Sequence, residues 1–439
     1  MTRRSSILVT GLAVLAFSSL PLHSTVLDAE TAALCAAVEP KVVEWRRDFH
    51  QHPELSNREF KTAAKIARHL EALGMPVETG VAHTGVVAVL EGGKPGPVVL
   101  LRADIDGLPV TERNDLPYAS SEVGVYNDQE VGVMHACGHD THIAILLGVA
   151  EVLTARRETL AGTVKFIFQP AEEGAPAGEE GGAELMVKEG VLTDPDVDAA
   201  FALHIDAFLE VGHIGYRPGG IWASADDYKI TVKGRQSHGG YPWMGIDPIV
   251  TSAQIINALQ TIVSRNVALV ESAAVVTIGS IHGGVRSNIV PEQVEMVGTI
   301  RALDPAVRLE IHQRIRTIAK GVAESMGATV EVQIPLSTSY PVTYNDAELT
   351  AQMLPALQEA AGTDNVHLIP AETGAEDFSF ISQEVPGFYF TLGGRPSTTP
   401  REETADHHTP DFIIDDSGLG VGVRALTAVT LAYLELHDH

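Results

Sequence analysis

The sequence predicts an α/β protein, a mostly parallel sheet flanked by helices, interrupted by a smaller α+β unit. Three observations carry this. Strand-length apolar runs alternate with helical periods over residues 30–219, and again after about residue 335. The runs "VVLL" and "AAFALHI" are apolar throughout, as strands covered on both faces are. Between about 220 and 335 the order becomes β-α-β-β-α-β, the split ferredoxin-like arrangement. A chain of 439 residues is long enough for two such units.

Taken in order, the first element is a targeting signal. Arg3 and Arg4 precede the apolar run "ILVTGLAVLAF", and the polar stretch "SSLPLHSTVLDA" follows. That order describes an export signal over residues 1–29, cleaved between Ser19 and Ala29 and too short to span a membrane comfortably. The mature protein is therefore expected in the periplasm or secreted.

Residues 31–50 read as a helix, and 57–73 as another closed by Gly74 and Pro76. "VVAVLEGGKPGPVVLLRADIDGLPV" gives two short strands around a Gly/Pro turn. "IAILLGVAEVLTARRETL" is helical, "GTVKFIFQP" is a strand stopped by Pro170, "GGAELMVKEG" is a short helix and "VDAAFALHI" a buried strand. In the inserted unit, "DDYKITVKG" alternates in polarity as a strand does. "DPIVTSAQIINALQTIV" is a helix with Asp247 as N-cap and Pro248 at its first position. The strands "AAVVTIGSI" and "QVEMVGTIRAL", a helix from Asp304 to Met326 closed by Gly327, and the strand "ATVEVQI" complete the unit. A helix over 346–361, "GAEDFSF", the strand "GFYFTLGG", "DHHTPDF" and a last apolar helix return to the first rhythm. Residues 30–219 and 336–439 thus form two parts of one domain, with 220–335 inserted.

Composition narrows the function. The net charge of −27 excludes a phosphate-tracking nucleic-acid binder and makes anionic membranes poor partners for the mature chain. Hydrophobic residues at 45% and charged residues at 20% indicate a globular fold. Of the two cysteines, Cys35 reads as a small apolar core residue of the first helix. Cys137 sits in "HACGHDTH".

Metal-capable side chains fall at the ends of the predicted strands, where open α/β sheets bind ligands. They are Asp104 and Asp106, the 135–142 cluster, Glu172 and Glu173, His204 and Asp206, and His407 and His408. Cys137 and His139 flank Gly138, which permits a turn aiming both at one ion, and thiolate with imidazole suits zinc and related transition metals. The structural alternative is a buried cysteine beside a helix start capped by Asp140. In extended backbone Glu172 and Glu173 point opposite ways, so one can bind metal while the other moves a proton. The alternative there is a solvated acidic turn. His204 and His408, each taken alone, read better as satisfied structural histidines than as ligands. His50, His52, His83, His213 and His367 read as surface or structural.

The motifs "RRDFHQHPELS", "LRADIDGLP", "MHACGHDTH", "FIFQPAEEG", "ALHI", "SHGGYPWMGIDPI", "NIVPE", "GTIRA", "GAEDFSF" and "HHTP" occur in this order. With them the chain resembles the aminoacylase and carboxypeptidase-like amidohydrolases over roughly residues 40–430. Within these it resembles the hippurate hydrolase and auxin-conjugate (indoleacetyl-amino acid) hydrolase branch. The resemblance implies a di-zinc aminopeptidase-like catalytic domain with an inserted lid and dimerisation domain, hence a homodimer or higher homo-oligomer. It implies two divalent transition-metal ions, zinc or manganese, with nickel or cobalt as alternatives. They would be held by Cys137, His139, Glu173, His204 and His408, with Cys137 bridging. Glu172 takes the general acid/base role and Asp106 supports the metals. His238 matches a histidine that reaches an active site, usually the partner subunit's, and stabilises the oxyanion. Asn288 and Arg301 match positions that help hold a substrate carboxylate; a strand-end turn residue and a surface cation are the plainer readings. Trp243 and Met244 stand where relatives often have another histidine or an asparagine, and are expected to line an apolar acyl pocket.

The implied reaction is hydrolysis of the amide bond of N-acyl amino acids to acid plus amino acid. A metallo-carboxypeptidase or dipeptidase is the alternative, and an exported binding protein without catalysis a third reading, against which Glu172 argues. A structural zinc site fits worse, because it closes its ligands within short spacings and these span about 270 residues.

Overall fold

Eight strands build the central sheet, in the spatial order Val77–Val81, Gly85–Glu91, Ala161–Gln169, Lys94–Asp104, Ala199–Glu210, Gly387–Arg395, Ile214–Tyr216 and Val366–Leu368. The four in the middle, from Ala161–Gln169 to Gly387–Arg395, are mutually parallel. Antiparallel pairs flank them on both sides. The computed structural model describes residues 25–337 and 339–437, so all but the end of the expected export signal lies outside the described residues.

Alternation of side chains explains why these strands are apolar throughout. Along Ala199–Glu210, Ala199, Phe201 and Leu203 face one core while Ala200 and Ala202 face another. The helices Ala29–Gln51, His139–Ala155 and Leu419–Leu436 pack with one another over the first core. The short helices Gly182–Lys188 and Phe378–Ser382 cover the second. His139–Ala155 is buried along nearly its whole length, so its apolar circumference fixes its N-terminus rigidly beneath the sheet's carboxyl edge.

The inserted region forms its own antiparallel sheet, in the order Ala274–Gly283, Gln293–Ala302, Ser224–Lys233 and Thr329–Gln333. This is the strand order of a split βαβ unit, and the helices Pro248–Arg265 and Pro305–Ser325 pack on it around Tyr228, Leu259, Met296 and Ile315. Asp247 caps the first of these helices by accepting from Ile249 and Val250 N–H, and Asp304 caps the second through Ala306 and Val307 N–H. The short strand Ser339–Tyr340 then pairs with Ser224–Lys233.

Several expectations shift. The strand Lys94–Asp104 begins inside the Gly/Pro stretch, because Lys94 pairs with Ala161 before an irregularity restores register at Val98. "GAEDFSF" contains a short helix. The edge strand Val77–Val81 and the hairpin Val123–Tyr126/Gln129–Gly132 had no counterpart in the sequence reading. The hairpin turns on Asn127 and Asp128, both at positive φ (50° and 60°), as a type I′ turn requires.

Candidate metal centre

Gly138 is the hinge of the site. It takes φ +91°, starts the helix His139–Ala155, and a Cβ on it would lie 2.3 Å from Ile205 Cγ2. Only glycine fits, and the turn it makes sends Cys137 and His139 to the same place. The N-cap is therefore Gly138, which corrects the reading of Asp140 as a cap. Asp140 is buried and ties the helix start to the first helix instead, accepting from His50 Nδ1 at 2.8 Å and pairing with Arg46 Nε at 2.9 Å. His50 is thus structural and buried, while His52 and His83 are exposed. His213 and His367 stack on each other.

Around the hinge the structure brings together all five side chains expected to hold metal. Cys137 Sγ lies 3.4 Å from His204 Nε2 and 3.3 Å from His408 Nε2. His408 Nε2 is 3.0 Å from Glu173 Oε1, and His139 Nε2 is 3.9 Å from that oxygen. The donors fall into two compact groups, Cys137/His139/His204 and Cys137/Glu173/His408, with Cys137 in both.

The donor chemistry fits transition metals. The outward nitrogens of two histidines are already engaged, His139 Nδ1 with Asp106 Oδ1 (3.1 Å) and His204 Nδ1 with the Ile205 carbonyl (2.6 Å). Each Nε2 is thereby turned into the cluster, because an acceptor on Nδ1 fixes the tautomer and the ring orientation, as it does in metal-binding histidines. His139 Nε2 is buried without a hydrogen-bond partner. Burial would lower the His139 pKa, but Asp104, Asp106 and Glu173 outweigh it and push it up to about 10. Burial and the Glu173 and Glu172 carboxylates drive the Cys137 thiol far above its usual value, so a thiolate there needs an adjacent cation. His408 sits at φ +62°, a conformation sparse for non-glycine residues and typical of functional sites. Its neighbour His407 is engaged by backbone, with Nε2 accepting from Ala207 N–H (3.1 Å) and Nδ1 against the Cys137 carbonyl (3.2 Å).

Glu172 lines a cavity of about 480 Å³ beside this cluster, with Ile205, Phe208, Trp222 and Ile369 among its apolar walls. It is 7% exposed, and among the described residues its carboxylate accepts no hydrogen bond; His139 Nε2 stands 3.8 Å from Oε2. Burial, then Glu376, Glu173 and Asp377, raise its pKa well above the ordinary glutamate value.

Three features escaped the sequence reading. His142 accepts from Ile205 N–H at 2.9 Å and donates to Asp104 at 2.5 Å, fixing the backbone beside His204. Arg102 is fully buried and reaches Asp104, Glu376, Asp377 and Gln169, each at 2.8 Å. A polar residue inside "VVLLRAD" was its signal. Tyr340 Oη donates to the Glu172 carbonyl at 3.2 Å from the short strand that follows the inserted unit and pairs with its sheet.

His238, Asn288, Arg301, Trp243 and Met244 all lie outside the cavity of their own chain. His238 is exposed, its Nδ1 accepts from Gly240 N–H at 2.9 Å, and it does not line this chain's cavity. Asn288 is exposed beside it, its carbonyl accepting from Gly239 N–H at 2.8 Å. Arg301 donates to Thr299 Oγ1 and the Ile300 carbonyl within its own strand. Arg301 belongs to the strand Gln293–Ala302 of the inserted sheet, whereas His238 lies in a separate two-stranded ribbon, Ser237–His238 with Ile289–Val290, which Asn288 immediately precedes. Trp243 and Met244 are 73% and 64% exposed in a single 3-10 turn; the indole in the cavity wall is Trp222.

Comparison with known proteins places the arrangement. The chain is 38% identical over 403 residues to N-acetylcysteine deacetylase of Bacillus subtilis strain 168, covering 91% of this chain and 98% of that protein. It is 38% identical over 397 residues to thermostable carboxypeptidase 2 of Saccharolobus solfataricus, covering 90% and 96%. The crystal structure of the Bacillus subtilis YXEP protein, described as a dinuclear metal-binding peptidase, superposes with a TM-score of 0.75 at 35% identity, covering 91% and 99%. The sequence profile of peptidase family M20/M25/M40 matches residues 100–432, and this chain belongs to that family of hydrolases.

Proposed function

We propose that this chain is a metal-dependent amidohydrolase that cleaves N-acyl amino acids to an acid and an amino acid. The observation that carries the reading is a pair of donor groups sharing Cys137, with Glu172 buried beside them and unbonded. Two divalent transition-metal ions, zinc or manganese with nickel or cobalt as alternatives, suit these donors. Such ions, when bound, supply acidified water and a polarised carbonyl.

The chain's own residues do the rest. Glu172 takes a proton from water at its carboxylate and returns it to the leaving amine, from a position buried beside the donor groups. Asp106 holds His139 in one tautomer, and Tyr340 holds the backbone of Glu172. The wall of Phe208, Trp222 and Ile369 accommodates the acyl half, which supports hippurate-like and related conjugates. Cleavage of peptides is the second reading, favoured by the likeness to a carboxypeptidase. We further propose export to the periplasm or medium, and a homodimer in which His238 serves the partner's site.

The test is metal analysis of the mature protein joined to hydrolysis of hippurate, other acyl amino acids and dipeptides. We expect amide turnover that chelation abolishes, and a Glu172→Gln variant that keeps its metal and loses turnover. Appreciable turnover by Glu172→Gln, or metal-loaded protein that cleaves no amide, would overturn the proposal.

A further inference from the structure

We propose that the acyl half of the substrate carries a positive charge at its far end, so that aminoacyl and aminoalkanoyl groups are preferred over neutral acyl groups. The inference rests on the amidohydrolase reading above. Its basis is the charge lining the cavity. Of eighteen residues in the wall, six are carboxylates and none is Lys or Arg. The whole chain has 57 acidic and 30 basic residues, so the wall exceeds the overall acidic bias.

Three of the six carboxylates have work already. Glu173 belongs to a donor group, Glu172 is the proton shuttle, and Glu376 is bonded by Arg102 and Tyr389. Asp206, Glu372 and Asp406 remain. Among the described residues, none of the three forms an ion pair with a Lys or Arg. Arg401 is the cation whose field reaches Glu372. Its guanidinium lies over the Phe208 ring at 5.1 Å and bonds the Phe208 carbonyl, so it does not cap the group. One oxygen of Asp206 accepts from Phe208 and Leu209 N–H, which leaves the other uncommitted. Partial burial, then Asp206, raises the Glu372 pKa, with Arg401 opposing and Asp406 adding to the rise.

Metal ions at Cys137 and Glu173 would offset charge at that end of the cavity, and Asp206, Glu372 and Asp406, outside the donor groups, add like charges to the wall that a substrate cation would relieve. Glu172, more than nine-tenths buried, unbonded and facing the same space, independently marks that space as the substrate's. Ile205, Phe208, Trp222 and Ile369 offer an apolar track for a methylene or aromatic stem, and the carboxylates offer a terminus for its ammonium. The same charges repel the α-carboxylate of the amino-acid half, so the rim also orients the substrate, acyl end inward.

Isosteric substrate pairs test this on the metal-loaded full protein. They are 4-ethylbenzoyl-glycine against 4-(aminomethyl)benzoyl-glycine, and heptanoyl-leucine against 6-aminohexanoyl-leucine. We expect kcat/KM to favour the cationic member by about tenfold, which is about 1.4 kcal/mol. The ratio should shrink with salt and collapse toward unity in the Glu372→Gln/Asp406→Asn double variant, both sites being exposed. Equal rates, or preference for the neutral members, would overturn the charge inference and leave amide hydrolysis standing. Hydrolysis of neither pair by metal-loaded protein would remove the amidohydrolase reading, and this inference with it.

Discussion

Gly138 and Glu172 illustrate the residue scale, one by shape and the other by charge. A methyl at 138 meets Ile205 at 2.3 Å and must hold φ +91°, a strain of about 1–3 kcal/mol. Its relief would rotate Cys137 away from His139, so Gly138→Ala is expected to fold yet bind less than half the wild-type metal, read by metal analysis after gel filtration. Glu172 has a folded-state pKa above its unfolded value. Such a group costs no stability below the unfolded pKa, and destabilises as pH rises and the buried carboxylate ionises. In metal-free protein at pH 8, Glu172→Gln should therefore be more stable by about 1–2 kcal/mol, while losing activity. A thermal melt in chelator that shows no gain would mean the carboxylate is solvated. These positions were legible in the sequence because their chemistry is local: donor types stand at strand ends, and a glycine separates two of them. Arg102 was not, because its meaning depends on Glu376, 274 residues away. A buried arginine with three carboxylate partners cannot be told from a surface cation until the chain closes on itself.

At the scale of elements, capping residues and apolar periods located the helices well. Strands at the sheet edges were lost because they are short and half exposed, as Val77–Val81 is. The start of the first helix shows what local signals omit. Asp28 accepts from Thr31 N–H at 2.8 Å, Leu27 is buried, and the Glu359 carboxylate takes the N–H groups of Val26 and Leu27 at 3.2 and 2.9 Å. The folded unit therefore needs its chain from Val26 onward, although the sequence alone permitted cleavage as late as Ala29. A protein beginning at Glu30 should lose about 3 kcal/mol relative to one beginning at Val26, from the cap and one buried leucine. Urea unfolding of the two proteins measures it; equal midpoints would show that the clamp contributes nothing. If export occurs, N-terminal sequencing of the exported protein should find its first residue no later than Val26.

On the scale of the whole molecule, the question is how His238 could act at all. In this chain it lies beside Asn288 on a small two-stranded ribbon of the inserted unit, exposed and flanked by exposed Tyr241, Trp243 and Met244. An apolar cluster of that kind on a protein of net charge −27 suits a second copy of the same surface better than open solvent. Two routes could bring His238 to a reacting carbonyl: closure of the inserted unit over its own cavity, or delivery across a two-fold axis to the partner's. Either route makes His238→Ala lose about a hundred- to thousandfold in rate, as removal of an oxyanion donor does. Subunit mixing separates them. Suppose His238→Ala and Glu172→Gln protomers are unfolded together and refolded. If the histidine acts in its own chain, every site lacks one of the two groups and the mixture stays inactive. If it crosses the interface, each mixed dimer holds one site with Glu172 from one protomer and His238 from the other. Half the dimers are mixed and each has one intact site, so about a quarter of wild-type activity should return. A mixture that stays as inactive as its parents, with mixed dimers shown by mass spectrometry, would rule out delivery across the interface and leave closure within one chain.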